Sequence, residues 1–295
     1  VDAILSQLRE RIFTPELKAF EEAYFQFREE KISFFQYAKL LFDYAGRCQI
    51  DLLQYPAVAL FREMQEHEER ISFETLPAEI NAYLSTLSQK LPEGSTDRER
   101  LIRFTEQFNR GAVSRYEYFM YCIEQGFAHG VDLLAYANLY EYGEYLKCFQ
   151  RVDKEALRFE RRALESEIKK TLARSCRVKG LPAHTALTLV ALSEKLQCIR
   201  NLIKVKLFTQ DFDEFEEARH TFHAKEYVDF IMMAAPHFGI PVTISLDIAN
   251  LDYIVPFVYD FYACSMQRDQ VLIESLLAAP AVPSDGLAVL VAGGF

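Results

Sequence analysis

Leu17, Phe20, Tyr24 and Phe27 stand three or four residues apart, the spacing that gathers side chains on one face of an α-helix. Thr14-Pro15 precedes them, a capping hydroxyl followed by the residue that suits a first helical position. After a short polar break, Ser33-Phe34-Phe35-Gln36 opens a second helix. Its Ser and Gln are spaced so that each side chain satisfies the other's free backbone N–H. Asp51 is placed to cap a third helix carrying Leu52-Leu53-Gln54-Tyr55, and Ser72 stands at the start of a fourth. The apolar and aromatic positions of these helices, Leu53 among them, are expected to be core.

The same pattern returns 81 residues later without a gap. Between positions 27 and 82 there are 13 identities in 56 positions, among them Phe27/Phe108, Ser33/Ser114, Tyr37/Tyr118, Asp51/Asp132, Leu53/Leu134, Tyr55/Tyr136 and Glu63/Glu144. Unrelated chains of ordinary composition would share roughly 3 or 4. Ser114-Arg115-Tyr116-Glu117 keeps the capping pair, and Asp153 takes the place of Ser72. A helical unit written twice predicts two stacked copies that bury their apolar faces on each other and offer a binding surface.

Beyond the second copy the helices lengthen, to 153–178 and 182–207, broken at Val178-Lys179-Gly180-Leu181-Pro182. Leu189, Leu192, Leu196, Ile199 and Ile203 form a coiled-coil seam on the second, which predicts an antiparallel hairpin. A further helix is expected from Thr209, with Asp211 and Asp213 in its first turn, and a last one from Asp252 to Leu277. Pro280, Pro283 and Ser284-Asp285-Gly286 then make a turn, and Leu287–Ala292 reads as a buried β-strand running into Gly293-Gly294. The predicted fold is mainly α, with unit 1 over 14–90, unit 2 over 98–178, hairpin partner and later helices over 179–280, and a lone strand in 281–295. Such a strand needs neighbours, so the chain is expected to be part of a larger protein with an α/β domain, or to self-associate through it.

Half the residues are hydrophobic, Gly (11) and Pro (10) are scarce, and no run reaches the roughly 18 apolar residues of a membrane span, so a soluble protein is expected. Six scattered cysteines without a close pair read as buried free thiols in a reducing, cytoplasmic setting. Residues 151–206 hold 14 Lys or Arg against 6 Asp or Glu in a chain of net charge −10. Arg158, Arg161 and Arg162 are interleaved with Glu155, Glu160, Glu165 and Glu167, and few aromatics are present to stack on bases. This favours a solvated helix face, or contact with an acidic partner or the chain's own acids, over nucleic acid.

Candidate chemistry is sparse. Glu216, His220 and His223 are spaced to share one helical face and form a weak candidate metal set. His67, His129, His184 and His237 stand alone, and no nucleophile–base arrangement assembles from spacing. Arg268-Asp269 followed by Leu272, Ile273, Leu276 and Leu277, and then by a strand ending in Gly293-Gly294, resembles the closing segment of the TraB, ChaN and erythromycin-esterase-like superfamily. The resemblance covers about residues 265–295. It implies an α/β hydrolytic, metal-binding or haem-binding protein with the helical units as an insertion. Only Arg268, Asp269, Gly293 and Gly294 carry over as binding candidates; the family's His would fall past Phe295, and no Gly-Glu-x-His opens the chain.

Three functions follow: a non-catalytic helical-repeat binding or scaffolding module with a protein partner or the rest of its own polypeptide, a portion of a TraB/ChaN-like protein, or a nucleic-acid or anionic-surface binder through the basic hairpin. No cofactor is assigned by any residue pattern.

Overall fold

The computed structural model describes residues 1–204, 212, 215–216 and 219–278. Among them are α1 (Asp2–Ile12), α2 (Pro15–Arg28), α3 (Phe34–Arg47), α4 (Pro56–Arg70), α5 (Leu76–Lys90), α6 (Thr96–Asn109), α7 (Arg115–Ala128), α8 (Ala137–Arg151), α9 (Lys154–Ser175), α10 (Thr185–Ile203), α11 (Ala224–Ala234) and α12 (Leu251–Leu277), joined by short 3₁₀ turns. The protein is mainly helical, with no strand among the described residues. The strand expected at Leu287–Ala292, the turn before it and the helix start at Thr209 lie outside the described residues.

The chain divides into a central unit, Glu21–Ile168, and a terminal unit made of Val1–Phe20 with the residues from Lys169 onward. In the central unit, elements recur in register: α2 and α6, α3 and α7, the 3₁₀ turns Leu52–Gln54 and Leu133–Ala135, and α4 and α8 each begin and end 81 residues apart. The local chemistry recurs with them. Ser33 with Gln36 and Ser114 with Glu117 both close reciprocal caps. Asp51 accepts from the Leu53 N–H and Asp132 from the Leu134 N–H, each at 3.0 Å. Asp51 and Asp132 therefore cap 3₁₀ turns, and the longer helices start only at Pro56 and Ala137. Phe27 stacks on Tyr37 at 4.4 Å and 3°, and Phe108 on Tyr118 at 4.3 Å and 2°.

Helix ends recur too, with one difference that matters energetically. Each of α2, α3, α6 and α7 is followed by a left-handed residue at which the chain folds back on the last turn, as in the bonds Ile50 N–H to Ala45 O (2.9 Å) and Val131 N–H to Gly126 O (2.8 Å). In the second half these residues are Gly111 and Gly130; in the first they are Glu30 (φ 57°) and Gln49 (φ 58°). A side chain there crowds its own backbone, at roughly 1 to 2 kcal/mol per residue.

The fourth helices are exchanged. α5 follows the first half but packs on α7 and α8 of the second, where the Tyr83 hydroxyl donates to the Cys122 carbonyl at 3.1 Å. α9 follows the second half but serves the first: Glu160 accepts from the N–H groups of Ala57 and Val58 (2.7 and 3.2 Å) at the open start of α4, Arg161 lies over the Phe27 ring, and Tyr55 donates to Glu167. Arg161 and Glu165 pair with side chains only 11% and 7% exposed. The solvated helix face expected for this stretch is thus corrected at these two residues, which belong to the interior. Asp153 caps α9, but α5 starts at Leu76, four residues past Ser72.

In the terminal unit, α1, α10, α11 and the last turns of α9 enclose Leu5, Leu8, Leu17, Ala173, Leu189, Leu192 and Ile231. The seam on α10 is buried at Leu189, Leu192 and Ile199 and half-buried at Leu196, but Ile203 is exposed. A second cluster gathers Leu202, Phe215, Phe222, Val255 and Tyr262 along α12.

Gln49→Gly should raise stability by roughly 1 kcal/mol in denaturant melts by relieving the left-handed side chain, and Gly130→Gln should lower it by a similar amount. Gly126 is a separate test. A Cβ there would fall on the Tyr83 hydroxyl, so Gly126→Ala should cost about 1 to 3 kcal/mol despite alanine's better helix propensity.

Candidate functional site

Two surface corners of the central unit are built alike. Each consists of an Asp-capped 3₁₀ turn that holds a leucine in water, Leu53 at 82% exposure and Leu134 at 72%. The expectation that both are core is overturned. The 3₁₀ turn replaces the first turn of the expected helix, so Leu53 and Tyr55 no longer share a helical face: Tyr55 is buried and Leu53 points away from the core. Burial, and then the bond to Glu167, pushes the Tyr55 hydroxyl up to about 12. Beside Leu53 lies an open groove of about 460 Å³, with Phe42, Ile50 and Leu52 on its apolar side and Arg62, Glu63 and Glu66 on its polar side.

A second cluster lies where α4 meets α8. Glu63 and His67 are one helical turn apart on α4, and Cys148 faces them from α8. One donor atom of each lies within 4.8 Å of the others, the one group of three His, Cys, Asp or Glu so arranged among the described residues. His67 Nδ1 is 2.6 Å from Glu141 Oε2, and Arg70 reaches the same oxygen at 3.7 Å. Cys148 is buried, and its thiol is raised by that burial first and by the nearby Glu63 carboxylate second. His67, expected to stand alone, is therefore half-buried among three polar partners. The signal was present in the repeat register: residue 67 plus 81 is residue 148, and Glu63 and Glu144 precede them by four in each half.

The other predicted site residues are not assembled. His220 lies in the turn Arg219–Thr221 and His223 is the residue before α11, so no single helix carries Glu216, His220 and His223 on one face. Glu216 instead accepts from the Tyr259 hydroxyl at 2.6 Å, and Arg219 lies 4.1 Å over that ring. The weak metal set is thus corrected. Arg268 pairs with its neighbour Asp269 on the exposed surface of α12, and Gly293 and Gly294 lie outside the described residues. In the basic stretch Lys169 pairs with Glu194, Lys195 with Glu226 and Arg200 with Asp2. Cys264 and the half-buried Cys48 and Cys198 depart from the expectation that every thiol is buried.

No family model matches the chain, and neither a curated protein nor a solved structure shows significant similarity to it. No described helix is long and apolar enough to cross a membrane.

Leu53→Ala and Leu134→Ala should each change unfolding stability by less than about 0.5 kcal/mol, because neither side chain leaves water on folding. Tyr37→Ala, at a fully buried position, should cost several kcal/mol in the same denaturant series.

Proposed function

We propose that the central unit consists of tandem copies of one helical unit and works as a non-catalytic binding module for a protein segment, from another chain or from its own polypeptide. The observation that carries this reading is the pair of exposed leucines on matching rigid turns. Leu53 and Leu134 sit at the same position of each half, each fixed by an Asp cap, and the adjoining groove is apolar on one side and charged on the other. A single exposed leucine is ordinary on a protein surface. Two at equivalent corners, ordered before any partner arrives, lower the entropic cost of association. Helical repeats use such surfaces to hold extended or helical segments.

Peptides selected by display on the immobilised protein should bind in a manner that depends on these corners. The double variant Leu53→Asp/Leu134→Asp should lose at least about tenfold in affinity, the scale of one lost apolar anchor, while its melting temperature stays at that of the parent. Selected peptides that bind the double variant as well as the parent overturn the reading.

A further inference from the structure

His67 and Cys148 occupy the same position in the two halves of the central unit, and they meet. Equivalent residues of two related halves can touch only where the relation between the halves passes between them, at the contact of α4 with α8. That contact brings two i, i+4 pairs together, Glu63 with His67 on α4 and Glu144 with Cys148 on α8. Each pair offers a carboxylate and, one turn on, a nitrogen or sulfur ligand.

We propose that this junction is a zinc site in which the Cys148 thiolate, a His67 ring nitrogen and the Glu63 carboxylate bind the metal. The donor chemistry selects the ion. A mixed sulfur, nitrogen and oxygen set suits zinc, whereas calcium and magnesium take oxygen alone. Thiolate and carboxylate together carry two negative charges, and the imidazole binds neutral, so the divalent cation is balanced by its own ligands. In a tetrahedral zinc site the donors lie roughly 3.3 to 3.8 Å apart. Closure from the observed 4.8 Å limit asks for a shift of about an ångström, and Glu63, being exposed, is free to make it.

The surroundings are those of a metal-ligating histidine. Glu141 holds His67 Nδ1 at 2.6 Å, which leaves Nε2 for the metal and gives the carboxylate–histidine pairing that fixes the ring's tautomer. Arg70 anchors Glu141 from the outer side. The buried thiol forms the floor and the exposed Glu63 the mouth, so the site has an entry path. Without a cation, burial and the carboxylates of Glu63 and Glu144 hold the thiol protonated. A divalent ion reverses that balance, and binding releases the thiol proton. Three protein ligands leave a fourth position for water or for Glu144.

The full chain, stripped with chelator, should bind one zinc per molecule in a calorimetric titration and, loaded with cobalt(II), should show a thiolate-to-metal charge-transfer band. Cys148→Ala and His67→Ala should abolish stoichiometric binding, with circular dichroism reporting that the helices persist. Cys148→His should keep the zinc while losing the charge-transfer band, a result that loss of folding cannot mimic. Glu141→Gln should weaken binding about 10- to 100-fold, as expected for an outer partner of a ligating histidine, with the band retained. Absence of stoichiometric zinc in the parent chain, or a charge-transfer band that survives in Cys148→Ala, overturns the proposal. Because neither Leu53 nor Leu134 is a ligand, their substitution leaves zinc binding unchanged, and failure here leaves the peptide-binding reading standing.

Discussion

The packing of α4 on α8 is the constraint on which the central unit depends. Each helix is the third long one of its half, and each is approached by a helix from the far end of the other half: α5 reaches α8, and α9 reaches the start of α4. If α4 and α8 were displaced, Glu160 would lose the two N–H groups it satisfies. Tyr83 would lose the Cys122 carbonyl and the edge-on ring of Tyr136. The cost of leaving such groups unmade in the interior exceeds what any one of them contributes when made. The halves are therefore coupled by polar bonds whose geometry is specific, over a hydrophobic interior that by itself would tolerate sliding.

Charge is handled in the same way. The basic stretch stands out as a block in the sequence, yet its members meet acids that lie far off in the chain: Lys195 meets Glu226, and Arg200 meets Asp2. The buried pair Arg161 and Glu165 shares its surroundings with the Phe27 ring, so the guanidinium has both a carboxylate and an aromatic face. An excess of one sign along a helix thus reports where its partners are folded to, as much as what it would bind from outside.

What could be read from the sequence follows the range of the interactions involved. Ser33 with Gln36 and Ser114 with Glu117 lie within one turn, so spacing alone identifies them, and α12 begins within one residue of its expected start at Asp252. Leu53 could not be placed correctly, because whether a leucine at the end of a capped turn faces the core depends on a 3₁₀ geometry that periodicity does not encode. His67 and Cys148 looked isolated for a different reason: their neighbourhood is created by the α4–α8 contact, across 81 positions of chain. The exchange of fourth helices was beyond reach altogether, since a helix carries no local mark of which neighbour it will cover. The left-handed ends show the middle case. Gly111 and Gly130 declare theirs, whereas Glu30 and Gln49 hide the same conformation under ordinary residues.

The exchange of α5 and α9 has a consequence for descent. A chain holding a single unit would have no helix to complete its own α4 and no partner for that helix's exposed flank, yet its fourth helix would be free to serve a neighbour. Two such chains would complete each other, each lending a helix across a shared axis, which is the form of a symmetric homodimer with swapped elements. Fusing the two chains end to end would then free the halves to diverge. Position 45, an alanine, matches position 126, a glycine that leaves room for the Tyr83 hydroxyl. Leu164 stands where a second Tyr83 would have been. That asymmetry makes the junction irreversible: two copies of either half alone would no longer fit together as the present halves do.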